Sequence, residues 1–141
     1  MASSNEPFLD LARSAVDAGL GYARDQGLRM TLLVMDITGT VCASARMDGS
    51  RPITYTIALA KANTARMFEA STGALAERVK PENKIAIGQI APDIAFLGGG
   101  VPLVRGGVVI GAIGASGGNE QQDIECADVA LAAVAPRLGD G

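Results

Sequence analysis

Lys61 is the side chain whose surroundings most demand an explanation. Its neighbours at helical spacing are Ala58, Ala62 and Ala65, so it projects from a close-packed helix face or from that face's edge. A long cation there needs a partner or must snorkel to solvent. It either completes a structural ion pair or, desolvated, serves a ligand or moves a proton. Arg46, Asp48 and Arg51 form a second constellation. They read as a surface ion-pair cluster, or as an arginine that orients an acidic substrate beside a carboxylate that accepts its proton. The third is the corner Ser116-Gly117-Gly118-Asn119, where Asn119 and Gln122 have the spacing of a capping box. Such a corner either turns the chain and caps a helix or aims its N–H groups at a ligand carboxylate. Asp123 falls in the first turn of that helix, where the dipole alone favours a carboxylate. Tyr55 and Glu69 are weaker polar candidates, and Met30, Met35 and Met67 are expected in the core.

What the chain lacks narrows the chemistry. It contains no histidine, which excludes His-ligated metal or haem and every catalytic dyad or triad built on imidazole. No CxxC and no clustered Asp/Glu box is present, so no metal site is expected. The glycine corner has neither the lysine of a Walker loop nor the G-x-G-x-x-G spacing of a dinucleotide site, so no cofactor-binding residue is assigned. A net charge of −3 without a Lys/Arg cluster argues against nucleic acid. Cys42 and Cys126 lie far apart in apolar contexts and read as buried thiols, with a disulfide or a nucleophile as the alternative. Met1 to Glu6 has no basic or apolar leader pattern, and no apolar run is long enough to span a bilayer. The expected setting is therefore cytoplasmic, with no membrane partner.

The elements that must position these groups follow from periodicity. At 141 residues, 48% hydrophobic and 19% charged, the chain is long enough for one core and too short for two, so residues 1–141 read as one domain. A first helix is predicted over Pro7 to Asp25, with Asn5 as its cap and Gly27 beyond its end. Arg29 to Asp36 and Thr40 to Met47 are predicted strands joined through Thr38-Gly39. Ser50 is expected to cap a second helix that ends before Gly73. That helix has an apolar stripe (Ile53, Ile57, Ala60, Thr64, Met67) and a stripe of small residues (Ala58, Ala62, Ala65). After a polar connection from Lys80 to Gln89, strands are predicted over Ile94 to Leu97, Val101 to Arg105 and Val108 to Ala115. Gly98 to Gly100 and Gly106-Gly107 supply the turns. A last helix runs from Asn119 to Leu138. The fold class is α+β: a single-layer, mainly antiparallel five-stranded sheet flanked by helices.

Two motifs in fixed order resemble one family. AIGASGG followed by Gln122-Asp123, together with Arg46-Met47-Asp48-Gly49 and Lys61-Ala62-Asn63-Thr64-Ala65, is similar to the signature of the GlcG/HbpS-like proteins. These are often labelled haem-binding or haem-degrading domains. The likeness runs from about Phe8 to Leu138. It implies a compact α+β domain that forms homo-oligomers and takes a small-molecule ligand. Some members are labelled haem binders; others resemble cofactor-free enzymes, including lyases of hydroxylamino-aromatic acids. The missing histidine sets this chain apart from an imidazole-ligated haem binder. The resulting expectation is a cofactor-independent lyase or isomerase of a small anionic or aromatic substrate. Lys61, Asp48 and Asp123 would be its catalytic residues, and Arg46, Thr64, Ser116, Gly117 and Gly118 would bind substrate. The alternatives are a non-catalytic haem or tetrapyrrole binder, with Met, Cys or Tyr ligation or none, and a purely structural oligomer subunit.

Overall fold

The computed structural model describes residues 6–140. Helix α1 spans Phe8–Asp25, strand β1 Thr31–Asp36, strand β2 Val41–Arg46 and helix α2 Ile53–Phe68. Two short helices follow, α3 at Thr72–Arg78 and α4 at Pro81–Ile90. Strand β3 is Gly100–Arg105, strand β4 Val108–Ser116 and helix α5 Glu120–Val134, with a final 3₁₀ turn at Ala135–Arg137. Asn5, the expected cap of α1, and most of the Met1–Glu6 segment lie outside the described residues.

Among the described residues the sheet has four antiparallel strands in the order β2-β1-β4-β3, not the five predicted. Ile94 to Leu97 has no strand partner. Its backbone is held by α2 instead: Ala95 N–H donates to the Thr64 hydroxyl at 2.8 Å, and Asn63 Nδ2 donates to the Asp93 carbonyl at 3.4 Å. The Ala95 N–H is thus satisfied by α2 rather than by a neighbouring strand. The predicted polar connection from Lys80 to Gln89 is also corrected, since α4 occupies it and α3 stands just before it. Gly73 lies inside α3 rather than beyond α2, and α2 ends at Glu69, whose φ of 54° supplies a left-handed cap without glycine. Ser50 does not cap α2; its hydroxyl donates to the Met47 carbonyl at 2.7 Å, and Pro52 occupies the cap position.

Strand β1 is buried on both faces, which is why its sequence is a continuous apolar run. Leu32 and Val34 pack with α1 and α5 residues such as Leu11, Ala15 and Ala127. Leu33 and Met35 pack against Ala58, Ala62 and Ala65 of α2. Three layers result, α1 and α5 on one face and α2 on the other. The small-residue stripe of α2 faces the sheet, and of the larger stripe Ile53 and Met67 turn outward, more than half exposed, while Thr64 is buried. Met67 is therefore not a core residue, whereas Met30 and Met35 are.

The approach of α2 is set by two glycines that pair across β3 and β4, Gly100 and Gly114. A Cβ at Gly114 would overlap the Ala58 carbonyl, and one at Gly100 would overlap the Lys61 carbonyl. Only glycine lets a helix backbone sit this close to a strand. This contact carries Lys61 down to the sheet surface.

Candidate functional site

Lys61 is 2% exposed. Its ammonium donates to Asp123 Oδ2 at 2.7 Å and to the Ala115 carbonyl at 3.1 Å. Asp123 reaches the same point from the first turn of α5, and its other oxygen accepts the Gly118 N–H at 2.8 Å. The two side chains are only 3% and 7% exposed. Burial pushes the Asp123 carboxyl up, and the Lys61 ion pair with the Gly118 and Gly117 N–H groups opposes that shift. Gly99 closes one side of the pair. Its φ of 126° and its closeness to Lys61 Nζ and the Ala115 carbonyl leave no room for a side chain.

The glycine corner performs an internal task. Asn119 Oδ1 accepts the Gln122 N–H and Gln122 Oε1 accepts the Asn119 N–H, both at 2.8 Å, which completes the expected capping box. The Gly118 N–H is spent on Asp123. The carboxylate seated at this helix N-terminus is the protein's own Asp123, favoured by the same dipole that would draw a ligand anion.

A cleft of 210 Å³ opens over the pair, lined by Ile57, Lys61, Leu97, Gly98, Ser116, Gly118, Glu120 and Asp123. An ammonium has three N–H donors, and the two bonds to Asp123 and Ala115 leave one for the cleft. Lys61 is neutralised by Asp123 while Glu120 adds negative charge at the rim. The cleft therefore offers an apolar wall of Ile57 and Leu97, one strong donor and a buried carboxylate behind it. It suits a small body that accepts a hydrogen bond better than a free anion.

Of the residues expected to act together, the fold gathers Lys61, Asp123, Ser116 and Gly118 around this cleft, with Gly117 beside it. Arg46 and Asp48 line a separate cleft with Arg29 and Met47. Arg46 donates to the Ser50 carbonyl at 2.7 Å, and the Asp48 carbonyl accepts from Arg29 at 2.8 Å. No ion pair joins Arg46, Asp48 and Arg51 among the described residues. Thr64 lies one turn from Lys61, but its hydroxyl donates to the Ala60 carbonyl at 2.7 Å and accepts from Ala95. It holds the loop that roofs the site. Tyr55 is exposed outside the cleft. Ile57, Leu97 and Glu120 were not singled out by sequence reasoning, because no motif marks a residue that only lines a wall.

The fold and site define a three-layer α+β domain with a buried Lys–Asp pair beneath a small cleft. The chain belongs to the HbpS-like family: the sequence model for "Haem degrading protein HbpS-like" matches residues 8–132. Protein GlcG of Escherichia coli K12 is 34% identical over 106 residues, covering 75% of this chain and 78% of GlcG. The corrinoid adenosyltransferase PduO of Salmonella typhimurium is 31% identical over 138 residues. That match covers 95% of this chain but 39% of PduO, so the chain spans well under half of that relative. Among solved structures, a PduOC–haem complex superposes with a TM-score of 0.83 at 28% identity, covering 92% of this chain and 95% of that one.

Proposed function

We propose that this protein binds a small organic ligand, and that a haem or related tetrapyrrole, held without imidazole ligation, is the leading candidate. The observation that supports it is the likeness to the PduOC–haem complex over nearly the whole chain. The donor set does not fit an imidazole-ligated iron, since the chain has no histidine. Burial also pushes the Cys126 thiol up to about 12 and raises Cys42, which disfavours the thiolate at either position. The Tyr22 phenol, donating to Glu125, is also raised to about 12. No group of three His, Cys, Asp or Glu side chains converges as a metal site among the described residues. Recognition then falls to apolar contact and charge at the ligand's edge. Haemin titrated into the protein is expected to bind saturably with broad bands, without the sharp Soret and visible bands of an imidazole complex. No saturable spectral change would refute the reading.

A second reading, a cofactor-independent lyase or isomerase, is favoured by one observation. Lys61 has a donor unspent and opens onto a cleft from a buried position, with Asp123 fixing its orientation. In that role Lys61 would hand a proton or hydrogen bond to the substrate while Ile57 and Leu97 exclude water. Turnover of a hydroxylamino-aromatic acid by the wild type, lost in Lys61→Met, would separate it from the first reading.

A homo-oligomer belongs to either reading. Helix α4 buries none of its residues, Ile85 and Ile90 are 66% and 84% exposed, and Ile53 and Met67 stand out on α2. Apolar side chains this exposed mark a surface for another protein surface.

A further inference from the structure

The groove between α1 and the edge strand β2 is unused by the Lys61–Asp123 centre. Leu20, Ala45 and Met47 form an apolar floor in a cleft of 420 Å³, and Arg24, Arg29 and Arg46 stand around it with Asp48. Leu20 and Ala45 also line an adjoining cleft of 430 Å³ that adds Val16, Ala43 and Arg13, so the two form one trough beside β2. Each is within the size range of small-molecule sites.

Charge sets this trough apart. The chain is net acidic at −3, with 12 Lys and Arg in all. Yet four arginines, Arg13, Arg24, Arg29 and Arg46, gather along the trough against the two carboxylates of Asp17 and Asp48. Among the described residues the ion pairs are Lys61–Asp123 and Glu6–Arg137, so no carboxylate neutralises Arg24, Arg29 or Arg46. Arg29 spends one N–H on the Asp48 carbonyl and Arg46 one on the Ser50 carbonyl. A guanidinium has five donors in a fork that matches a carboxylate. Most of that capacity faces outward beside an apolar floor.

We propose that this trough binds an amphiphilic carboxylate, its apolar body lying on Leu20, Ala45 and Met47 and its carboxylate held by Arg24 and Arg29. The carboxylate arms of a tetrapyrrole and the head of a fatty or aromatic acid share this chemistry. The tetrapyrrole case rests on the ligand reading given above; the site itself does not.

The test uses two probes, protoporphyrin IX followed by its fluorescence and decanoate followed by calorimetry. The variants are Arg24→Glu/Arg29→Glu and Arg24→Glu alone; Arg24 makes no side-chain hydrogen bond among the described residues, which guards against a folding defect. Binding of either acid to the wild type, weakened about tenfold or more by charge reversal, is the expected result, as one charge-assisted hydrogen bond accounts for that much. Added salt should weaken it too. Protoporphyrin binding unchanged in both variants would overturn the trough and leave the tetrapyrrole reading standing. Arginine-dependent decanoate binding without any tetrapyrrole binding would uphold the trough and remove that reading. A wild type that binds neither acid would overturn the trough outright.

Discussion

Replacing Lys61 with methionine keeps the volume of the side chain and removes its charge. Asp123 would remain 7% exposed at its side chain, with the Gly118 N–H at 2.8 Å and the Gly117 N–H as its remaining partners. The 2.7 Å partner and the donor to the Ala115 carbonyl would both be lost. Stranding one member of a buried pair costs about 3–5 kcal/mol. At roughly 3 °C per kcal/mol for a domain of this length, the melting temperature should fall by about 10–15 °C. The sign of the pH dependence follows from Asp123. Its folded-state pKa is raised by burial, and losing the cation raises it further. The folded variant therefore binds a proton more readily than the unfolded chain, and its stability declines as pH rises from the ordinary aspartate range through the raised value. The gap between variant and wild type should narrow on acidification. Scanning calorimetry from acid to neutral pH measures both effects. A second change, Asp123→Leu, added to Lys61→Met should recover much of the loss, since an apolar pair leaves no buried charge. A neutral-pH drop of less than about 3 °C would refute the reasoning, because that is the behaviour of an exposed pair.

Gly114→Val should destabilise strongly, by about 3 kcal/mol or more in urea unfolding, because its side chain would meet the Ala58 carbonyl and lift α2 from the sheet; an unchanged midpoint would contradict the contact. Tyr22 donates to Glu125 at 2.6 Å and is raised to about 12, so this bond contributes below pH 10 and is lost as pH rises towards 12. Wild type should lose stability relative to Tyr22→Phe across that window, and parallel curves would dismiss the bond. Light scattering should return a mass above the 14.3 kDa of one chain, and the monomer mass at micromolar concentration would end the oligomer proposal.

Most helices and strands could be read from the chain because their signals are local. The capping box at Asn119 and Gln122, the Gly106-Gly107 turn between β3 and β4 and the unbroken apolar run of β1 each specify backbone geometry within a few residues. The five-strand expectation failed where the deciding partner was distant. Ile94 to Leu97 looks like a strand until the Thr64 hydroxyl, 31 residues earlier, takes the Ala95 N–H. Composition alone settled what chemistry was unavailable, since a chain without histidine offers no imidazole wherever its residues come to lie.

The sequence also marked Lys61 as a cation on a small-residue face, and it placed Asp123 at a helix start. It did not pair them. That pairing spans 62 residues and depends on Gly100 and Gly114 admitting the α2 backbone to the sheet, on Gly99 leaving space beside the ammonium, and on the capping box fixing the first turn of α5. Arg46 and Asp48 sit close to Lys61 in sequence and yet face another cleft, because β2 is an edge strand and carries them away from the pair. Local spacing determines what each residue can do; which residues meet is decided by strand order and by how closely two backbones can approach.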